Sequence, residues 1–392
     1  MDTRTYNYLK GRFGDYYRTT TIPKPPAAEK REWGYIPWSD SPGTRMFRHN
    51  SLSGVGGLNE WVEYVKPQHL YFSGTRYEDP GAPKMSEKGW VGADVVFDID
   101  SDHLPGVDEE RTPYAEMLSI GKRHTQNLLE IIQNDFGFTD IELVFSGGRG
   151  YHIHIRDDAA TSLSSEGRRE LVEYVTGRLV DAGSVTDSER DVFLQPAKSN
   201  SSFNPGGGWS RKLHEYVTNR FSELSTLTAE ELERSDRAPG IGKKKAKAAH
   251  AYLQTTGVSD VAVGDIPPAQ TGLKRTVSTL IDEGVAELHA AVDEPVTTDV
   301  NRLIRVPRSI HGKTGLVVQP IALDELEQFD PLSDAIPQLF LEYDIRINLT
   351  EEFNERFNGV KYTLEPGEHV VPEALGIFMM GQGMAEKLRE SL

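Results

Sequence analysis

The segment Ala93-Asp-Val-Val-Phe-Asp-Ile-Asp100, read together with Ile141-Glu-Leu-Val-Phe-Ser-Gly-Gly-Arg-Gly-Tyr-His-Ile-His-Ile155, decides the fold. The first is rich in β-branched and aromatic residues and reads as a strand. In the second, two strand-like runs, 141–145 and 151–155, flank Ser146-Gly-Gly-Arg-Gly150, a glycine loop of hairpin length. Between them, Ala115 to Gln133 carries Leu118, Leu128, Leu129, Ile131 and Ile132 at helical spacing. A strand, a helix and a hairpin in this order give an α/β (α+β) body.

Outward from this centre the character changes. The first 90 residues are rich in Pro, Gly and aromatics, as in Ile22-Pro-Lys-Pro-Pro26, and read as short elements joined by turns. From about 160 to 290 the pattern is helical, with Leu171, Val175 and Leu179 four residues apart. A Gly/Ser/Asn-rich stretch, Lys198 to Gly208, reads as a loop, and near 291 strand and turn signals return. The expected organisation is a body built from 1–158 and 291–392, with a mainly helical insertion at 159–290.

The 392 residues are 37% hydrophobic and 26% charged, which excludes collagen and full disorder. No apolar run reaches the roughly 20 residues of a membrane span, and the N-terminus lacks an apolar stretch of signal-peptide length. The chain has no cysteine, so it has no disulfide, no catalytic thiol and no cysteine-bound zinc or iron–sulfur cluster. A cytoplasmic location is the simplest reading. The net charge of −17 argues against a nucleic-acid partner unless basic residues cluster locally or the protein works at high salt, as in a halophile.

Four constellations carry chemistry. In a strand, Asp98 and Asp100 point the same way, about 7 Å apart. Converging carboxylates suit Mg²⁺ or Mn²⁺, although acidic residues entering a solvated loop give the same pattern, and Asp102 reads as solvent-facing. The glycine loop offers amides, the Ser146 hydroxyl and Arg149 to a phosphate. His152 and His154 share one strand face, with His152 nearer the loop; a plain hairpin is equally compatible. Downstream, Asp293 and Asp299 precede Arg302, Arg305, Arg308, His311 and Lys313. Arg305, His311 and Lys313 suit a triphosphate, and solvated charges on a strand and turn are the alternative. Finally, Ala238-Pro-Gly-Ile-Gly-Lys-Lys-Lys-Ala-Lys247 resembles a helix-hairpin-helix turn. Its amides and Lys243, Lys244, Lys245 and Lys247 suit DNA phosphates, or simply open a solvated helix.

In their order and spacing, the paired aspartates, the Ser146–His152 motif and the Asp293–Gly315 segment resemble the small catalytic subunit of archaeal and eukaryotic DNA primases. The likeness is strongest to archaeal members and runs over most of the chain. Arg31-Glu-Trp-Gly-Tyr35, Arg48-His-Asn-Ser51 and the helix start at 163–170 resemble further family segments. The resemblance implies an RRM-like primase core with an inserted helical subdomain. It implies template-directed synthesis of short primers from nucleoside triphosphates on single-stranded DNA, alongside a large subunit.

By resemblance, Asp98, Asp100 and Asp293 are the catalytic metal ligands, with Asp299 competing for the third place. Ser146, Arg149, His152, Arg305 and His311 are nucleotide contacts, and Arg48 is a further candidate. Two departures stand out. The family often has a second arginine where this chain has Gly148. It also usually carries a cysteine-rich zinc knuckle between the paired aspartates and the hairpin. Here that interval holds only His103 and His124, so no cysteine-ligated structural zinc is expected. A repair or plasmid primase-polymerase of the same superfamily, and a non-catalytic DNA-binding scaffold, are the rival readings.

Overall fold

The computed structural model describes residues 1–38, 45–178, 208–236, 238, 241–256 and 269–390. These fall into two compact units, one of Met1–Gln126, Phe138–Glu170 and Ala291–Leu392, the other of Asn127–Gly137 and Leu171–Ala290. The loop read at 198–208 lies outside the described residues except for Gly208. Among the described residues no helix is long and apolar enough to cross a membrane.

In the first unit, strands β1 (Arg31–Ile36), β2 (Phe47–Asn50), β3 (His69–Tyr77) and β4 (Trp90–Ala93) form a sheet in the order β2-β1-β3-β4. Strands β5 (Val95–Asp100), β6 (Ile141–Phe145) and β7 (Gly150–Ile155) start a second. Later in the chain, β8 (Leu303–Arg305) pairs with β3, and β9 (Gln319–Ile321) joins β6, giving β5-β7-β6-β9, antiparallel throughout. Strand β7 lies between β5 and β6, and the helix Tyr114–Glu130 connects those two, as in the β-α-β-β run of an RRM-like core. The helix ends in a π-turn at Ile131–Asp135, whose Ile131 and Ile132 are buried. Val96, Val296 and Ile304 pack together, so the core fixes β8 and the helix Glu294–Thr298 against β5. A third sheet, of β10 (Asp344–Leu349), β13 (Gly367–Pro372) and β14 (Ala385–Lys387), and a hairpin of β11 (Arg356–Phe357) and β12 (Val360–Lys361) complete the unit.

Two expectations need correction. The N-terminus is not short pieces alone, because Thr3–Thr19 is a 17-residue helix. Asp2 caps it by accepting from Thr5 N–H at 2.8 Å, and Leu9, Phe13, Tyr16 and Tyr17 give it a buried stripe. The polar residues between those positions hid it. Asp102 is also not solvent-facing, since its side chain is 14% exposed and held by Arg149. The neighbouring Asp94 is wholly buried, and both its oxygens accept from Arg31 at 2.9–3.0 Å.

In the second unit, helices Ser165–Val175 (from Leu171 onward), Trp209–Ser225, Ala229–Arg234, Lys243–Thr255 and Thr271–Leu288 pack through residues such as Leu213, Val217, Phe221, Leu273 and Leu280.

Candidate active site

Strand pairing sets the carboxylates. Asp98 stands opposite His152 and Asp100 opposite Gly150, so both acids project from one face of β5. The Asp293 N–H donates to the Asp98 carbonyl at 2.8 Å, tying the start of the helix Glu294–Thr298 to the same strand. Burial pushes the Asp98 carboxyl up to about 7; the charges of Asp100 and Asp293 add to this, and Arg305 and Arg302 oppose it. Asp100 rises to about 6, first by burial, then through its hydrogen bond and charge repulsion with Asp102. Burial also acts upward on Asp102, but the Asp100 hydrogen bond and Arg149 at 3.1 Å hold it below the usual carboxylate value. His103 Nδ1 lies 3.0 Å from Asp102 and 3.8 Å from Asp100. Donor atoms of Asp100, Asp102 and His103 all fall within 4.8 Å of one another. Crowded, desolvated carboxylates whose repulsion keeps a proton on them fit a divalent cation, which relieves that repulsion.

Asp293 lines a pocket of about 290 Å³ with Asp100 and His103. Asp299 instead pairs with Arg302 at 3.5 Å and faces a different groove, beside Val96 and Ile304. Geometry thus brings Asp293, not Asp299, to the paired aspartates.

A cleft of about 530 Å³ opens from these acids. Its walls include Ser146, Arg149, Arg305, His311 and Lys313. The Ser146 hydroxyl accepts from the amides of Gly148 and Gly150 at 3.3 and 3.2 Å, so it shapes the loop. Gly147 has φ +77°, open to glycine at little cost. A Cβ on Gly148 would stand 3.3 Å from His311 Nε2, a tight contact against the facing ring. Arg149 is held by Asp102 and by Glu109 at 2.8 Å. Arg305 sits opposite Tyr71 across β8 and β3, with its guanidinium 6.0 Å over the Tyr71 ring, and its Nε is sealed without a hydrogen-bond partner.

His152 is not on that wall. It is 3% exposed, with Nε2 3.5 Å from Asp98, and burial followed by the Arg305 charge pushes it down to about 3, so it is neutral. Arg48 binds Glu32 at 3.0 Å and the Asn301 carbonyl at 3.1 Å rather than lining the cleft. Sequence reasoning missed His69, Tyr71, Tyr114 and Thr314. The Tyr114 hydroxyl donates to the Gly148 carbonyl at 2.6 Å, and Thr314 donates to the Gly147 carbonyl at 2.5 Å. Thr314 stands next to Lys313 in the downstream cation cluster, while for His69 and Tyr71 strand parity was the available signal.

In the second unit, Gly242 caps the helix Lys243–Thr255. Lys243, Lys244, Lys245 and Lys247 are exposed, Lys245 bonding Thr271 at 2.8 Å, while Ala238 and Ile241 anchor the preceding turn in the core. Pro239 and Gly240 lie outside the described residues.

Paired carboxylates on an antiparallel sheet, facing a cleft walled by cations, suit metal-assisted chemistry on a phosphate ester. The family model for the DNA primase small subunit matches residues 97–323, a span that includes every candidate from Asp98 to His311. The DNA primase small subunit PriS of Halorubrum lacusprofundi is 44% identical over the whole of both chains, and that of Haloarcula marismortui 43%. PriS of Methanococcoides burtonii is 37% identical over 98% of this chain and 99% of its own. This chain belongs to the DNA primase small subunit family. A distant likeness to the polymerase domain of Mycobacterium tuberculosis ligase D covers 86% of this chain and 88% of that one, at TM-score 0.37 and 13% identity.

Proposed function

We propose that this chain is the catalytic subunit of a DNA primase, joining nucleoside triphosphates into short primers on a single-stranded DNA template and releasing pyrophosphate. The observation that carries the reading is the single cleft in which Asp98 and Asp100 meet Arg149, Arg305 and Lys313. Asp98, Asp100 and Asp293 would hold Mg²⁺ or Mn²⁺, with Asp102 and His103 beside them. The bound cation supplies Lewis-acid stabilisation of the 3′-oxygen and of the leaving group. The chain's own residues do the rest. Arg305 and Lys313 offer positive charge to the triphosphate from the cleft wall, and Arg149 exchanges Glu109 and Asp102 for phosphate oxygens. Ser146 keeps the loop amides in place. His152, neutral and buried, orients Asp98 from the neighbouring strand.

The lysines at 243–247 support template contact through the DNA backbone, with the helical unit as an inserted DNA-binding module. The family implies a large-subunit partner, forming a heterodimer that works in the cytoplasm. The test is primer synthesis on single-stranded DNA without a primer. It uses labelled triphosphates and Mg²⁺ or Mn²⁺ from low salt to molar KCl, with and without the large subunit. De novo product, lost in Asp98→Ala/Asp100→Ala, is expected. Extension only of pre-existing 3′ ends favours a repair polymerase, and binding without synthesis favours a scaffold.

A further inference from the structure

The cleft wall holds a histidine that no sequence motif marks. His69 begins β3, is 6% exposed, and meets His311 edge to face with ring centroids 4.8 Å apart. Hydrogen-bond direction fixes the tautomer of each ring. The Gly312 N–H donates to His69 Nδ1 at 3.3 Å, so that nitrogen carries its lone pair there. A neutral ring then has its proton on Nε2. Burial, then the charges of Arg305 and Lys313, hold His69 neutral by lowering its pKa to about 3.

His311 has the opposite arrangement. Thr314 Oγ1 and the Gly147 carbonyl oxygen are 2.5 Å apart, a distance that requires the hydroxyl proton between them. Thr314 has no second proton to give, so at 3.1 Å it accepts from His311 Nδ1–H. The neutral His311 ring therefore turns a bare Nε2 toward Gly148. Burial and then Arg305, His69, Lys313 and Arg149 around it hold it unprotonated. Neither Nε2 has a hydrogen-bond partner among the described residues.

Phosphate oxygens accept hydrogen bonds. A bare imidazole nitrogen repels them and an N–H attracts them. Of the two rings, His69 alone is a donor without taking up a proton. We infer that His69 binds the triphosphate through Nε2–H, while His311 in the free protein anchors the glycine loop through Thr314. This rests on the reading of the cleft as a nucleotide site.

The experiment measures KM for ATP and kcat on a poly(dT) template for wild type, His69→Ala, His69→Gln and His69→Asn. Glutamine can set an amide N–H near the Nε2 position, and asparagine replaces only the Nδ1 acceptor. Alanine is expected to raise KM about tenfold with kcat within about threefold. Glutamine should recover most of the loss and asparagine little. Recovery by asparagine but not glutamine would show a role limited to holding Gly312, and would overturn the assignment. An unchanged KM in the alanine variant would overturn it too. Should alanine fail to fold, the glutamine–asparagine order decides by itself. Wild type that makes no product even with the large subunit would overturn the nucleotide-site reading underneath.

Discussion

At the scale of single residues, Asp98 is the most informative side chain. Its carboxyl is raised to about 7 in the fold against 3.8 in an unfolded chain. The folded state therefore favours the protonated acid. The associated stability is full below about pH 4 and is lost as pH rises through 7. Without divalent ions, Asp98→Asn should melt a few degrees above wild type at pH 8, a gap that narrows toward pH 5; differential scanning fluorimetry across pH reads it. The same variant should lose at least about 100-fold in primer synthesis. A stabilised but inactive variant separates a functional charge from a structural one. Wild type, in turn, should release protons on binding Mg²⁺ or Mn²⁺ near pH 6.5, since the raised acids must ionise to hold the cation, and less so at pH 8.5.

At the scale of elements, the junction of β5 and β7 is where packing dictates sequence. A Cβ on Gly150 would stand 2.0 Å from the Ile99 carbonyl oxygen, a backbone atom that cannot swing aside. Gly150→Ala should cost on the order of 2 kcal/mol or more and shift the paired aspartates, seen as a lower midpoint in urea. The N-terminal helix supports the opposite wall. Tyr16 donates to the Arg308 carbonyl at 2.8 Å, and Ile310 N–H donates to Tyr17 at 3.2 Å. Arg308 itself has φ +67°, an uncommon conformation for a side-chain-bearing residue. Tyr16→Phe should lower stability by about 1 kcal/mol, measured in the same titration. The order of strand, helix and hairpin was legible because each carries its own period. The N-terminal helix was not, because its apolar positions are spread among Lys, Arg and Asp.

At the scale of the whole molecule, a net charge of −17 repels itself, and salt screens that repulsion. The melting temperature should rise between 0.1 and 2 M KCl. The proposed binding of single-stranded DNA would then depend on local cations rather than on the sum. Replacing Lys243, Lys244 and Lys247 together with alanine should weaken it and flatten its salt dependence by roughly 0.7 per lost phosphate contact, read by fluorescence anisotropy. Equal affinity and slope would remove the helical unit from template binding.

The chain by itself determined the strands, the glycine loop and the candidates Asp98, Asp100, Ser146, Arg149, Arg305 and His311, because strand parity and local charge are written in consecutive residues. Only the tertiary structure placed Asp293 rather than Asp299 beside the paired aspartates, left His152 off the cleft wall, and set Asp102, His103 and His69 near them. Two of those outcomes rest on contacts between segments far apart in the chain: the Asp293 N–H with the Asp98 carbonyl, and the Gly312 N–H with the His69 ring. Burial and hydrogen-bond direction then set protonation, and neither exists until the chain has folded.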